Sequence, residues 1–154
     1  MELKLNDKWL IISGNDDENT SYHESGILKE NAVSAKLPCF THMYIEDHLG
    51  FSWYEKRFVL EKMPENDEVA LLCFEMATFY TEVSVNGEIV GTHKGVEDPF
   101  YFDITDSLKK GENRITVRIS KSYEKDLDGY KFDEIPHRNQ CIKGITPGAC
   151  YNES

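Results

Sequence analysis

The sequence predicts an all-β sandwich or barrel, and three observations carry that prediction. At least six strand-like segments succeed one another at about ten-residue spacing between Trp9 and Ser120. Asn86-Gly87 supplies two adjacent positions that tolerate positive φ, which a two-residue hairpin turn of type I′ requires. No helical period of any length separates the segments, which disfavours alternating strand and helix units.

The elements follow in order. Trp9 to Ile12 is a short apolar run ending at Ser13-Gly14, a first strand before a polar surface tract that reaches Ser21. Val33, Ala35 and Leu37 alternate with polar neighbours until Pro38 ends the ladder. In Phe51 to Leu60, Tyr54, Phe58 and Leu60 share one face while Phe51 and Trp53 open the other. Glu68 to Met76 is apolar on both alternating faces, which predicts a strand covered on each side and a buried thiol at Cys73.

The strongest local signal is Tyr80 to Gly91, where Thr81, Val83 and Val85 lead into Asn86-Gly87 and then Ile89 and Val90. Phe100, Phe102 and Ile104 form the next inward stripe, and Thr105-Asp106-Ser107 before Leu108 predicts a single capped helical turn. Lys110 to Asn113 turns the chain into Arg114 to Ser120, where Ile115, Val117 and Ile119 alternate with polar residues. From Lys121 to Gly148 the pattern gives way to a long excursion rich in Asp, Gly and Pro, of the kind that is usually functional or a contact surface.

Length and charge narrow the functional classes. At 154 residues the chain matches one domain able to bury a core without metals or disulfides. Twenty-eight acidic against 17 basic residues leave a net charge of −11, which repels phosphate backbones and anionic lipid, so neither nucleic acid nor membrane is an expected partner. A neutral ligand such as a sugar is compatible with that charge. No apolar run approaches the roughly 20 residues of a membrane span, and the polar start at Met1, Glu2 and Lys4 lacks a signal-peptide pattern, so a cytoplasmic location is expected.

Cys39, Cys73, Cys141 and Cys150 lack CxxC spacing and read as reduced, structural thiols. His42, His48, His93 and His137 show no ligand spacing, so no metal and no cofactor are expected. Phosphate-loop, Ser-His-Asp and Cys-His signatures are absent. Trp53 and Tyr54 invite a sugar-stacking role, but their place in the strand pattern predicts core or edge packing.

Several pieces, each weak alone, are specific in their order: Leu5-Asn6-Asp7-Lys8-Trp9, Leu37-Pro38, Phe51 to Phe58, Glu82 to His93, Asp98 to Asp106 and Lys110 to Val117. In these the sequence resembles the amino-terminal domains of family 2 glycoside hydrolases, the β-galactosidases, β-glucuronidases and β-mannosidases. The resemblance implies a jelly-roll β-sandwich of the galactose-binding-domain-like type spanning residues 1–154, a fragment of a larger glycosidase. It also implies that the catalytic glutamates belong to a separate TIM barrel, with no counterpart here. Glycoside hydrolysis needs two carboxyl groups roughly 5 to 10 Å apart, and acidic residues such as Asp126 and Asp128 read as solvated loop carboxylates.

In that family a loop near the C-terminal end of the domain reaches the barrel's pocket. The matching stretch here is Asp133 to Gln140, and the resemblance nominates Asp133, Arg138, Asn139 and Gln140 as sugar-binding residues. Guanidinium and amide groups supply the paired donors and acceptors that sugar hydroxyls need. Gly148-Ala149-Cys150 stands where the family's last strand begins, so the ending at Ser154 is expected to mark a fragment.

The leading expectation is therefore a non-catalytic domain whose partners are a β-glycoside and the remaining domains of a glycosidase, with self-association left open. A free-standing carbohydrate-binding module and a purely structural interaction domain are the two alternatives.

Overall fold

The computed structural model describes residues 1–14, 21–39, 41–45, 50–77, 79–95 and 98–121. Within them, eight antiparallel strands form two layers: β1 (Trp9–Gly14), β2 (Val33–Ala35), β3 (Gly50–Leu60), β4 (Leu71–Phe74), β5 (Phe79–Val85), β6 (Glu88–Gly95), β7 (Phe100–Asp103) and β8 (Gly111–Lys121). A six-stranded sheet runs β2-β1-β3-β8-β5-β6, and β4 pairs with β7 in a second, two-stranded sheet. The chain is an all-β sandwich, as its strand spacing predicts. A single helical turn, α1 (Tyr22–Ser25), follows the first strand.

The centre of the large sheet is the pairing of β3 with β8, in register from Gly50 opposite Lys121 to Leu60 opposite Gly111. Alternation along these strands decides the layers. Ile115, Val117 and Ile119 of β8, Val83 and Val85 of β5, Tyr54 of β3 and Ile11 of β1 all point inward and are buried. Each such aliphatic side chain contributes about 1.5 to 3 kcal/mol relative to exposure. Phe74, Phe100 and Ile104 close the core from the smaller sheet, with the Phe74 and Phe100 rings stacked at 4.8 Å.

Among the described residues Tyr54 is the largest fully buried side chain, and its hydroxyl meets Thr41 Oγ1 at 2.6 Å. Burial pushes the phenol pKa well above its ordinary value, against the opposing effect of hydrogen bonds from Thr41 and Ser52. Trp53, the next residue, lies on the opposite face in a smaller cluster with Ile27. Both aromatic residues are packing elements, as their strand position predicts.

The hairpin forms as expected, with Asn86 at φ 52° and Gly87 at φ 95°. One irregularity was not visible in the sequence. The register passes from Val83 opposite Gly91 to Ser84 opposite Ile89, leaving Val90 as an extra residue on β6. This bulge sets Gly91 against the Phe102 ring, where an added Cβ would lie 2.3 Å from Cε1. Gly91→Ala is expected to destabilise the chain by about 2 kcal/mol through overpacking. Combining it with Phe102→Leu should cost less than the sum of the two single changes; additive losses in urea denaturation would show that the ring has room to move.

Three expectations need correction. The segment Glu68 to Met76 is not a strand covered on both sides. Only Leu71–Phe74 is extended; Leu72 and Phe74 are buried while Leu71 and Cys73 are exposed, because β4 lies in the smaller sheet, paired among the described residues with β7 alone. Cys73 is accordingly an exposed thiol, whereas Cys39 is buried. Val33 is exposed instead of inward, since β2 is an edge strand of three residues; Ala35 and Leu37 are buried as expected.

The turn after β7 is also capped from an unexpected position. Asp103 Oδ1 accepts from the Thr105 backbone N–H at 3.0 Å and from its hydroxyl at 2.6 Å. Thr105 Oγ1 in turn accepts from Ala70 N at 2.9 Å, which ties the turn to the approach to β4. These two bonds hold the exposed Asp103 carboxyl below its usual pKa.

Candidate functional site

The outer face of the large sheet carries a polar layer under the segment that contains α1. Across β3, β8 and β5 the even positions of β8 meet mostly polar partners: Thr116 lies between Glu55 and Ser84, and Arg118 between Trp53 and Glu82. Burying such groups costs free energy unless each finds a partner. The segment from Tyr22 to Ile27 provides several of these partners.

His23 is the principal one. Its ring lies 4.9 Å from the Trp53 ring in an edge arrangement, with Nε2 2.9 Å from Glu82 Oε1 and Nδ1 2.6 Å from Ser84 Oγ. A carboxylate only accepts, so Nε2–H donates to Glu82 and, in the neutral ring, Nδ1 accepts from the Ser84 hydroxyl. Arg118 Nη1 stands 3.6 Å from the same Glu82 oxygen, and its guanidinium lies over Trp53 at 5.7 Å from the ring centre.

A serine, a histidine and a carboxylate thus meet although no sequence signature announced them. Ser84 is wholly buried within the sheet. The arrangement is a pin that fastens α1 to β5. The hydrogen bond from His23, with the nearby Arg118 guanidinium, holds the Glu82 carboxyl below its ordinary pKa despite partial burial. A carboxyl depressed in the folded state adds stability that is complete above its unfolded pKa and lost as pH falls through the folded value. The wild-type chain should therefore lose stability below about pH 4.5 more steeply than Glu82→Gln; identical acid denaturation profiles would exclude this contribution.

Next to this pin, Glu55 is buried at 1% exposure. Its Oε2 accepts from Ile27 N at 2.6 Å and its Oε1 from Arg57 Nε at 2.8 Å. Arg114 completes the fastening, donating through Nη2 to the carbonyls of His23 at 2.7 Å and Glu24 at 2.9 Å.

At the same end of the sheet, the 86–87 turn, the start of β8 and α1 border an open cleft of about 300 Å³. It is lined by Glu24, Arg57, Asn86, Lys109, Glu112, Asn113 and Arg114. The two amides form its floor and are fully engaged. Asn86 Nδ2 donates to Ser107 O at 2.7 Å and to Asn113 Oδ1 at 2.8 Å, while Asn113 Nδ2 donates to the carbonyls of Lys109 and Gly111. The rim is charged: Arg57 lies 3.7 Å from Glu112, whereas Lys109 and Arg114 have no ion pair among the described residues.

The nominated sugar contacts Asp133, Arg138, Asn139 and Gln140 lie outside the described residues, as do Cys141 and Cys150. His93 is a strand residue, half-buried on β6 and stacked on Phe100 at 3.9 Å. Among the described residues there is no group of three or more side chains able to hold a metal ion, and no helix long and apolar enough to cross a membrane. His23 escaped the sequence reading because its partners are about 60 residues away. The one local signal was an isolated histidine next to Tyr22 in an otherwise polar tract.

Comparison with known proteins bears on this architecture. The family model described as "Glycosyl hydrolases family 2, sugar binding domain" matches residues 17–140. The chain is similar to a β-galactosidase of Thermoanaerobacter pseudethanolicus, 36% identical over 133 residues that cover 81% of this chain and 17% of that protein. A β-glucuronidase of Paenibacillus borealis is 32% identical over 109 residues, covering 60% and 18% of the two chains. Among solved structures, a Ruminococcus gnavus β-glucuronidase in complex with D-glucaro 1,5-lactone superposes with a TM-score of 0.63 at 26% identity, covering 79% of this chain and 22% of that one. A Bifidobacterium dentium β-glucuronidase complexed with coumarin-3-O-glucuronide shares the fold with a TM-score of 0.64 at 24% identity, covering 75% and 19%. The chain spans about a fifth of the length of the relatives it matches.

Proposed function

Because this chain belongs to the family 2 glycosyl hydrolases through their sugar-binding domain, we propose that it is the non-catalytic domain of a β-glycosidase. In this reading it packs on a TIM-barrel catalytic domain that hydrolyses O-glycosidic bonds and helps complete that domain's pocket. The observation that carries the reading is the family match over residues 17–140, supported by relatives that are β-galactosidases and β-glucuronidases.

Asp133, Arg138, Asn139 and Gln140 are the residues this reading assigns to the sugar. Their donors and acceptors suit vicinal hydroxyls, and their stretch precedes the segment that resembles the family's last strand. In this reading they bind the sugar and take no part in its hydrolysis, which requires a pair of carboxyl groups across the scissile bond.

Two assays test the proposal. The purified 154-residue chain should leave nitrophenyl β-galactosides and β-glucuronides uncleaved, and turnover abolished by exchanging a carboxyl pair within the chain would overturn it. In the complete glycosidase, Asn139→Ala with Gln140→Ala should raise KM about fivefold with little change in kcat, the signature of lost uniform binding. Unchanged kinetics would reduce the domain to a structural part.

A further inference from the structure

We propose that Asn86 is a covalent modification site and the 86–87 turn a one-way ageing switch. The hydrogen bonds around Asn86 hold back its deamidation, and they cannot re-form once it has occurred. Asn86-Gly87 is the only Asn-Gly step in the sequence. Glycine offers its backbone nitrogen to the preceding side chain with no Cβ in the way, so this step closes a cyclic imide more readily than other asparagine steps. The co-reactant is water, and no cofactor or partner is needed.

The covalent steps balance without oxidation or reduction. The Gly87 nitrogen loses its proton and attacks Asn86 Cγ. The new N–C bond displaces Nδ2, which leaves as ammonia, and the turn closes as a succinimide. Water then adds to one of the two imide carbonyls. Opening at the side-chain carbonyl gives aspartate; opening at the main-chain carbonyl gives isoaspartate, whose backbone is longer by a methylene. In sum, an amide and a water become a carboxylate and ammonium.

In the folded chain the groups that must move are held. Asn86 Nδ2 donates to Ser107 O at 2.7 Å and to Asn113 Oδ1 at 2.8 Å, while Oδ1 accepts from Arg114 N at 3.0 Å. The backbone N–H of Asn86 donates to Arg114 O at 2.8 Å. The carboxamide cannot swing onto the Gly87 nitrogen until those bonds part. Its acceptor Asn113 is fixed in turn, fully buried and donating through Nδ2 to the carbonyls of Lys109 and Gly111 at 2.7 and 3.0 Å.

This gate lies where the fold opens most easily. β6 is the last strand of the six-stranded sheet and pairs, among the described residues, with β5 alone. Asn86 and Gly87 are half-buried, Glu88 and Ile89 are exposed, and the turn borders the open cleft. Openings at such an end cost less than global unfolding. The outcome is irreversible for a structural reason. A carboxylate at position 86 keeps the bond from Arg114 N but meets Ser107 O and Asn113 Oδ1 as one acceptor meets another. Isoaspartate lengthens a two-residue turn whose length fixes the strand register.

The experiment follows deamidation of the 154-residue chain in mildly alkaline buffer across a urea series, by peptide mapping with mass detection. In the unfolded chain Asn86 should react faster than any other asparagine, and folding should slow it at least about tenfold. Below the unfolding transition its rate should climb with urea more shallowly than the global m-value, the mark of a local opening. Asn113→Ala removes one acceptor of Nδ2 and should raise the folded-state rate about fivefold. Leu72→Ala, which loosens the core at the smaller sheet, should change it less than about twofold. Should Asn113→Ala fail to fold, the urea series on the unaltered chain still decides. The deamidated chain, separated by its added negative charge, should melt below its parent. Equal rates folded and unfolded, faster loss at another asparagine in urea, a rate that follows global unfolding with its full m-value, indifference of a folded Asn113→Ala chain, or an unchanged Tm of the product would each overturn the assignment.

Discussion

Replacing Asn86 with Asp is expected to lower the unfolding free energy by about 3 kcal/mol, although the two side chains have the same shape. Asn86 Nδ2 faces two acceptors, the Ser107 carbonyl and Asn113 Oδ1, while its Oδ1 accepts from Arg114 N at 3.0 Å. A carboxylate would keep the last bond and turn the other two into contacts between acceptors. Asn113 is fully buried, so water cannot take over for it without opening the loop. In a chain of this length the loss corresponds to a Tm lower by roughly 6 to 12 °C.

Two comparisons separate this cause from the turn's backbone requirement. Asn86→Gly keeps the positive φ at no steric cost and should lose only about 2 kcal/mol, the value of the side-chain bonds alone. The Asp variant should regain part of its stability below about pH 4, where the protonated carboxyl becomes a donor again. An Asp variant within about 1 kcal/mol of wild type would show that the network reorganises freely.

Truncating Glu55 to Ala is expected to cost about 3 kcal/mol as well. The carboxylate is the acceptor for Ile27 N in the buried outer layer, and the remaining oxygen holds Arg57. Without it the Ile27 N–H is orphaned, which costs about 1 to 3 kcal/mol by itself. Arg57 is half exposed and can turn to water, so the larger share falls on the lost amide acceptor. Glu55→Gln retains a carbonyl oxygen and should lose about half as much. Hydrogen exchange at Ile27 reads the effect locally: its protection should collapse in the Ala variant while that of Val117 falls only with global stability.

Much of the fold was legible in the residues because strands leave a local, period-two trace. Ile115, Val117 and Ile119 announced β8, and Asn86-Gly87 announced the hairpin of β5 and β6, since both signals depend on neighbours within a few positions. Glu68 to Met76 misled for the complementary reason. An apolar residue on each alternating face says nothing about whether a neighbour covers that face, and at Leu71 and Cys73 none does among the described residues.

The polar layer was less legible than the core. His23, Glu82 and Ser84, or Glu55 and Ile27, are read as ordinary surface residues until the sheet places them under α1. Hydrophobic periodicity marks which residues turn inward, whereas hydrogen bonding between distant polar groups leaves no periodic mark.

By itself the sequence determined the strand order along the chain, the turn at Asn86-Gly87, the strong negative charge and the likeness to a family of sugar-binding domains. Those properties reside in local spacing or in composition, and local steric and transfer energies enforce them. Only the tertiary structure decided which sheet each strand joins, the bulge that sets Gly91 against Phe102, the pin through His23, and the convergence of Arg57, Lys109 and Arg114 on one open cleft. Each of these brings together residues from separate strands, and their pairing is selected by the collective packing of the sandwich rather than by any stretch of chain.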